Sequence, residues 1–330
     1  MTAVSATDPA AVAGPPAPAS GADRRRLRRP GTTPRPLGAP ARPAPSSADG
    51  PLMRVSGLGH RYSRLRPWLF RGLEFELQRG EILSILGPNA RGKTTLLKCL
   101  SGLLAPREGT VECAPGIGYV PQDHGAGPAF TVAEMVLMGR TRHLRPYQSP
   151  RREDHDAADA AMQRVGVADW AHRDYSELSG GQRQLVLIAR AVASGCELLI
   201  LDEPASALDL HNQSRVLGVL AGLAADGMGI IMTTHHPDHA LHVSRNALLF
   251  VGSDDTRWGP TEDLLTGPAL SEVYGLPICT PTVGTVSGDR VIAVPDFGPS
   301  CRACPVPEAV GAPVPADALP LHVSPRKDHP

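Results

Sequence analysis

Two groups of residues in this 330-residue chain have the types and spacing of phosphate chemistry, and a third, Ser179 to Gln182, has those of a helix start. The run Gly87-Pro88-Asn89-Ala90-Arg91-Gly92-Lys93-Thr94 fits G-x-x-x-x-G-K-[ST]. In such a run glycines let backbone N–H groups wrap the phosphates of a nucleotide, the lysine reaches the β and γ oxygens, and the threonine hydroxyl ligates Mg2+. Asp202 and Glu203 follow four consecutive apolar residues, Leu198 to Leu201. One acid there can hold Mg2+ while the next polarises an attacking water, a division of labour that suits phosphoryl transfer. Alone, two acids after an apolar run read as a capped strand end; paired with Lys93 they read as a hydrolytic centre. Ser179-Gly180-Gly181-Gln182 brings hydroxyl and N–H donors together at a helix start. In isolation it is a plain helix cap.

These residues need a particular scaffold. The glycine run lies between an apolar strand, Ile82 to Leu86, and a helical stretch, Thr94 to Leu104. Further strands are predicted at Leu198 to Leu201 and Gly229 to Met232. Alternation of strands with helices argues for a mostly parallel sheet covered by helices, with ligands at the carboxyl ends of its strands. Between Thr131 and Glu177 the strand signal fades, and Thr131 to Gly139 and Glu153 to Val165 read as helices. The second places Ala157, Ala161 and Val165 on one face. A helical lobe therefore interrupts the α/β core.

Composition bounds the function. The 33 basic and 33 acidic residues cancel, but unevenly. The first 50 residues hold 7 Arg against 3 Asp and 10 of the 34 prolines, and residues 296–330 hold another 8 prolines. Both ends are too poor in large apolar side chains to offset the entropy of ordering, so they read as disordered extensions of a body spanning 51–295. That body can bury a large core. The richest apolar stretch, Leu185 to Leu201, is broken by Arg190 and Glu197 and is no bilayer span. No apolar segment follows Arg24 to Arg29, so no secretory signal is expected and the compartment reads as cytosolic. Cys99, Cys113 and Cys196 fall in or beside apolar segments, as small reduced hydrophobes would. Cys301 and Cys304 form one C-x-x-C in the tail, where only His322 and His329 are on offer as further ligands, and chance is the better reading. His235 and His239 have a ligand-like spacing, but Pro237 between them disfavours the regular helix that zinc binding would use.

Leu178-Ser179-Gly180-Gly181-Gln182, ending 20 residues before Asp202, together with the glycine run, resembles the signature of the ATP-binding cassette (ABC) family. The resemblance covers residues 53 to about 290. It implies a P-loop NTPase (RecA-like) core with an antiparallel β part and an inserted helical subdomain at about 126–178. It also implies ATP with Mg2+, and a head-to-tail dimer in which the signature of one subunit meets the γ-phosphate held by the other. Carried over residue by residue, Gly87 through Thr95 cradle the phosphates, with Thr94, Gln122 and Asp202 toward Mg2+. Glu203 is the general base, His235 the γ-phosphate contact, and Gln122 the link from the metal to the helical lobe. Tyr62, 25 residues before Gly87, is the aromatic that stacks on adenine, although Trp68 lies near. Ser179 to Gln182 act across the dimer, and Asp209, in Ser206-Ala207-Leu208-Asp209, lies along its interface. The chain departs from the family at Ala90, where glycine is usual, and at His236, where aspartate is usual.

Thr131 to Arg140, Gln184 to Arg190 and Thr233 to Ala240 are similar to the ATPases of metal-chelate importers. That likeness implies a peripheral protein on the cytoplasmic face of a membrane. Its partners would be permease subunits and, indirectly, a substrate-binding protein, and its cargo an iron-siderophore complex, haem or cobalamin. Molybdate or tungstate belong to a close branch. Competing readings are an exporter ATPase and a soluble cassette acting on ribosomes or nucleic acid, in which the basic arm would find a use. Neither a fused membrane domain nor a second cassette is expected from this sequence, and no specific nucleic-acid partner is expected.

Overall fold

The computed structural model describes residues 50–89, 91–122, 130–145 and 147–298. The basic arm, Ala90, and the tail with Cys301, Cys304, His322 and His329 lie outside the described residues. Strands β1 (Met53–His60), β2 (Phe70–Leu77) and β4 (Glu108–Cys113) form an antiparallel sheet in the order β2-β1-β4. A second sheet holds β3 (Ile82–Leu86), β5 (Ile117–Val120), β6 (Leu198–Leu201), β7 (Gly229–Thr234), β8 (Asn246–Phe250) and β9 (Thr256–Pro260). Its order is β5-β6-β7-β3-β8-β9, parallel as far as β8, with β9 closing the edge antiparallel.

The apolar runs are continuous because the central strands are buried on both faces. Along β6, Leu199 and Leu201 pack into one core while Leu198 and Ile200 pack into the other. Along β7, Ile230 and Met232 take the first core and Ile231 the second. Each such side chain contributes about 1.5–3 kcal/mol of burial. The first core lies against helices α2 (Val132–Leu137), α3 (Arg152–Val165), α4 (Gly180–Ala193) and α5 (Leu210–Ala225). The second lies between the sheet, the antiparallel strands and helix α1 (Lys93–Leu100). A third, at the carboxyl end, joins Leu86 and Leu249 to Ala240, Leu265, Leu270 and Val273. It gathers α6 (Pro237–Val243), α7 (Thr261–Leu264) and α8 (Gly267–Tyr274).

Among the described residues, helices α2 and α3 and three short 3-10 turns occupy the connection between β5 and α4. Thr131 caps α2 with a reciprocal Glu134 contact. The half-buried guanidinium of Arg140 bonds Asp154 on α3 (Nε to Oδ1, 3.0 Å) and the Ala193 carbonyl at the end of α4 (3.1 Å), tying three pieces together. The Arg151 backbone N–H, and then Arg140, hold the Asp154 carboxyl below the usual range.

Three sequence expectations are corrected. The helix after the glycine run ends at Leu100, four residues before Leu104, because Ser101 is its C-cap and Gly102 turns left-handed at φ 74°. The buried face of α3 is Asp154, Ala158, Ala161, Met162 and Val165, with Ala157 on its flank. Cys113 is exposed, because β4 is the edge of its sheet. Cys99 and Cys196 are buried, and burial pushes the Cys99 thiol up to about 11.

Candidate active site

The site lies at the carboxyl ends of β3, β5, β6 and β7, where four chain segments leave the sheet side by side. After β3 the backbone turns at Gly87 (φ 148°), where an added Cβ would stand 2.7 Å from Phe250 Cβ. Only glycine fits between the loop and β8. Gly92, also left-handed (φ 96°), caps α1 with no side-chain bond of its own. The first turn of α1 therefore presents backbone N–H groups and the positive end of its dipole toward the loop. Lys93 is buried and its ammonium donates to the carbonyls of Gly87 (2.7 Å) and Pro88 (3.2 Å). Burial lowers its pKa, and the charges of Glu203 and Asp202 pull the other way. A buried ammonium between loop carbonyls and two acids suits a site for an anion that brings its own charge. Arg91 and Thr94 are exposed beside it.

The acids sit at the end of β6. Asp202 is buried, and its Oδ1 accepts the Thr233 hydroxyl at 2.6 Å. Glu203 has left-handed backbone (φ 47°), a conformation that costs a non-glycine residue about 1–3 kcal/mol and is held only where the surroundings over-determine it. Its N–H donates to Thr233 Oγ1 (2.8 Å), and its carbonyl accepts from Ser206 Oγ (2.9 Å). Its carboxylate is mostly buried, and Oε2 accepts from Gln122 Nε2 (3.1 Å), just past β5, and from His235 Nδ1 (3.2 Å), just past β7. An ionised carboxylate can only accept, so the His235 proton sits on Nδ1 in this contact. The His235 carbonyl accepts from Tyr274 Oη at the end of α8 (3.3 Å). Burial, and then Glu203, push that phenol up to about 12.

The donor set of Thr94, Gln122 and Asp202 is a hydroxyl, an amide and a carboxylate. Hard oxygen ligands of this kind suit Mg2+. Tyr62 is largely exposed and its hydroxyl lies 2.9 Å from Thr95 Oγ1, near the start of α1. Trp68, the other aromatic in that segment, is engaged by the guanidinium groups of Arg61 and Arg71, 4.4 and 4.8 Å from its ring centroid. His236 caps α6 without a side-chain bond, Pro237 takes the first helical position, and His239 turns to Thr234 and Gln213. His235 thus precedes the helix that carries His239.

Ser179 to Gln182 form a second group. Ser179 caps α4, and Gln182 returns a bond to the Ser179 N–H (3.0 Å). Gly181 lies against Asn212 of α5, and Asp209, the cap of α5, bonds Asn212 through both backbone and side chain (2.8 Å each). Spacing gave no sign of Thr233, Asn212 or Tyr274, since each acts through a neighbour distant in sequence.

Comparison with known proteins agrees with this geometry. Residues 70–206 match the family model described as ABC transporter. The chain is 40% identical over 227 residues to a molybdate import ATP-binding protein, MolC, of Haemophilus influenzae, covering 68% of this chain and 89% of that one. It is 32% identical over 242 residues to a Helicobacter pylori protein described as an iron chelatin transport ATP-binding protein, covering 69% and 94%. A solved structure described as a metal-chelate type ABC transporter in an inward-facing conformation superposes with a TM-score of 0.71 at 37% identity, covering 75% of this chain and 98% of that one. A glycine-rich loop between strand and helix, an acidic strand end and a capped Ser-Gly-Gly helix on one α/β scaffold, with these likenesses, identify the chain as a member of the ABC transporter family, an ATP-binding cassette ATPase with a P-loop NTPase fold.

Proposed function

We propose that the chain is the ATP-hydrolysing subunit of an importer for a metal chelate, with residues 51–295 as the motor and the elements at about 126–178 as a helical subdomain. The convergence of Gln122 and His235 on one oxygen of Glu203 carries this reading. The two donors hold the Glu203 carboxylate in place before nucleotide arrives, and that carboxylate takes a proton from the attacking water. Residues 87–95 hold the phosphates of ATP, and Tyr62 stacks on its base. Thr94, Asp202 and Gln122 would hold Mg2+, which when bound neutralises charge on the phosphate oxygens. A neutral His235 has one N–H, so it serves either Glu203 or the γ-phosphate, and serves both only as imidazolium. ATP therefore competes with Glu203 for His235 and, through Gln122, alters the link to the helical lobe. Two copies packed head to tail would place Ser179 to Gln182 of each on the γ-phosphate of the other, with Asp209 along the interface. The motor would work on the cytoplasmic face of a membrane with permease subunits and, through them, a substrate-binding protein. Among the described residues no helix is long and apolar enough to cross a membrane.

Glu203→Gln tests the assignment, because it keeps shape and removes the base. The variant is expected to bind ATP, lose about 10²- to 10⁴-fold in turnover and accumulate as a dimer on size exclusion with ATP. Near-normal phosphate release overturns it. The likeness to MolC favours a second cargo, molybdate. Uptake of labelled ferric siderophore, haem, cobalamin and molybdate by cells lacking and regaining the protein decides between them.

A further inference from the structure

We infer that Thr233 is a positioning residue for both acids: one buried hydroxyl sets where Asp202 and Glu203 stand relative to each other. The inference rests on the roles proposed for those acids. Thr233 is fully buried on β7, between β6 and β3. The β6–β7 ladder ends at Leu201 and Met232, so Thr233 lies one residue past the last pair, level with Asp202. Its hydroxyl has one proton and two acceptor positions. The Asp202 carboxylate can only accept and the Glu203 N–H can only donate. The hydroxyl proton is thus directed at Asp202 Oδ1 (2.6 Å), and an oxygen lone pair takes the Glu203 N–H (2.8 Å).

This arrangement explains how the chain leaves the sheet. The Asp202 N–H still bonds the Val120 carbonyl of β5 (2.9 Å). At Glu203 the backbone turns left-handed, and Thr233 supplies the partner that a continuing strand would have supplied. Ser206 holds the opposite end of the same residue. Without the hydroxyl, the Glu203 N–H and one oxygen of the buried Asp202 both lose a partner. The turn that aims the Glu203 carboxylate at Gln122 and His235 then loses a constraint. Val matches the shape of Thr at this position and Ser lacks only its methyl; of the three, only Thr and Ser bind both groups.

The test compares Thr233→Val with Thr233→Ser in the full chain. Removing two hydrogen bonds, one of them buried and made to a charged group, should lower kcat about 10- to 100-fold in the Val variant. Affinity for ATP in the absence of Mg2+ should stay within about threefold, because the Gly87 to Lys93 loop is untouched. The gain in ATP affinity on adding Mg2+, read by equilibrium binding of a fluorescent ATP analogue, should shrink in the Val variant and persist in the Ser variant. Turnover of the Ser variant should return to within about threefold of the parent. If valine is not tolerated, the Ser and Ala variants differ by the hydroxyl alone and make the same comparison. A Val or Ala variant with parental kcat and parental Mg2+ gain overturns the inference, as does a Ser variant impaired as badly as Val. Asp202→Asn and Glu203→Gln run alongside. If they lose turnover while Thr233→Val keeps it, only the Thr233 assignment falls; if they keep turnover, the reading of the acids falls first.

Discussion

Alanine at Gly181 would bring a Cβ to 2.5 Å from Asn212 Cγ and 2.7 Å from its Cβ and Oδ1. Asn212 cannot simply swing aside, because its backbone N–H and its side-chain amide both bond Asp209 at 2.8 Å. Relief requires either a broken Asp209 contact or a shift of the first turn of α4 away from α5. Overpacking of this kind costs about 1–3 kcal/mol. At roughly 2–4 °C per kcal/mol for a domain of this size, the melting temperature should fall by about 2–12 °C. Thermal unfolding of nucleotide-free protein is the assay, so that any role of Gly181 toward a phosphate does not enter. Gly180→Ala is the control, since its added Cβ meets only Leu208 Cδ2, at 3.8 Å, and should leave the melting temperature level or higher. Trimming the partner with Asn212→Ala removes two of the three clashing atoms. The double variant should therefore be less destabilised than the sum of the singles, by about 0.5–2 kcal/mol. A Gly181→Ala melting temperature within 1 °C of the parent, or strict additivity in the double variant, would refute the packing argument.

Gly87→Ala faces both a left-handed φ of 148° and a Cβ 2.7 Å from Phe250, so ATP affinity in equilibrium binding should drop at least about tenfold. Tyr62→Phe should hold ATP affinity within about threefold while Tyr62→Ala loses about tenfold, if the ring matters more than its bond to Thr95; equal losses would point to the hydroxyl. Burial, reinforced by His236, His235 and His242, lowers the His239 pKa from 6.5 to about 4. The unfolded chain therefore takes up that proton near pH 6.5 and the folded chain does not until about pH 4. Stability should thus decline as pH falls through this window, by about 1.4 kcal/mol per pH unit and roughly 3 kcal/mol in all, then level off. His239→Gln should flatten that slope in urea unfolding measured from pH 7 to 4. The Asn212 backbone N–H depresses the Asp209 pKa, so its cap is present at neutral pH and lost as pH falls through the carboxylate range. Asp209→Ala should lower the melting temperature at pH 7 and bring little further loss in acid.

What the chain's sequence determines alone is whatever a few neighbouring residues can enforce. The Gly87 to Thr94 run is contiguous, so glycine placement, lysine and helix start are written in one run. Strands buried on both faces show as unbroken apolar stretches, and Ser179 with Gln182 names its own helix cap. Local rules fail where a neighbour from elsewhere decides. The buried face of α3 is centred on Ala158 and Met162 because of what α2 and α4 offer it. Cys113 is exposed because no strand covers β4. Gln122 and Glu203 are 81 residues apart, and Glu203 and His235 32 apart. They meet because β5, β6 and β7 are adjacent and parallel, so that three segments leave the sheet at one edge. The grip of Thr233 on two acids follows from a single register, Leu201 opposite Met232. A slip of one residue would turn that hydroxyl to the other face of the sheet. Residue types supply the chemistry, and strand order with register decides which of them touch.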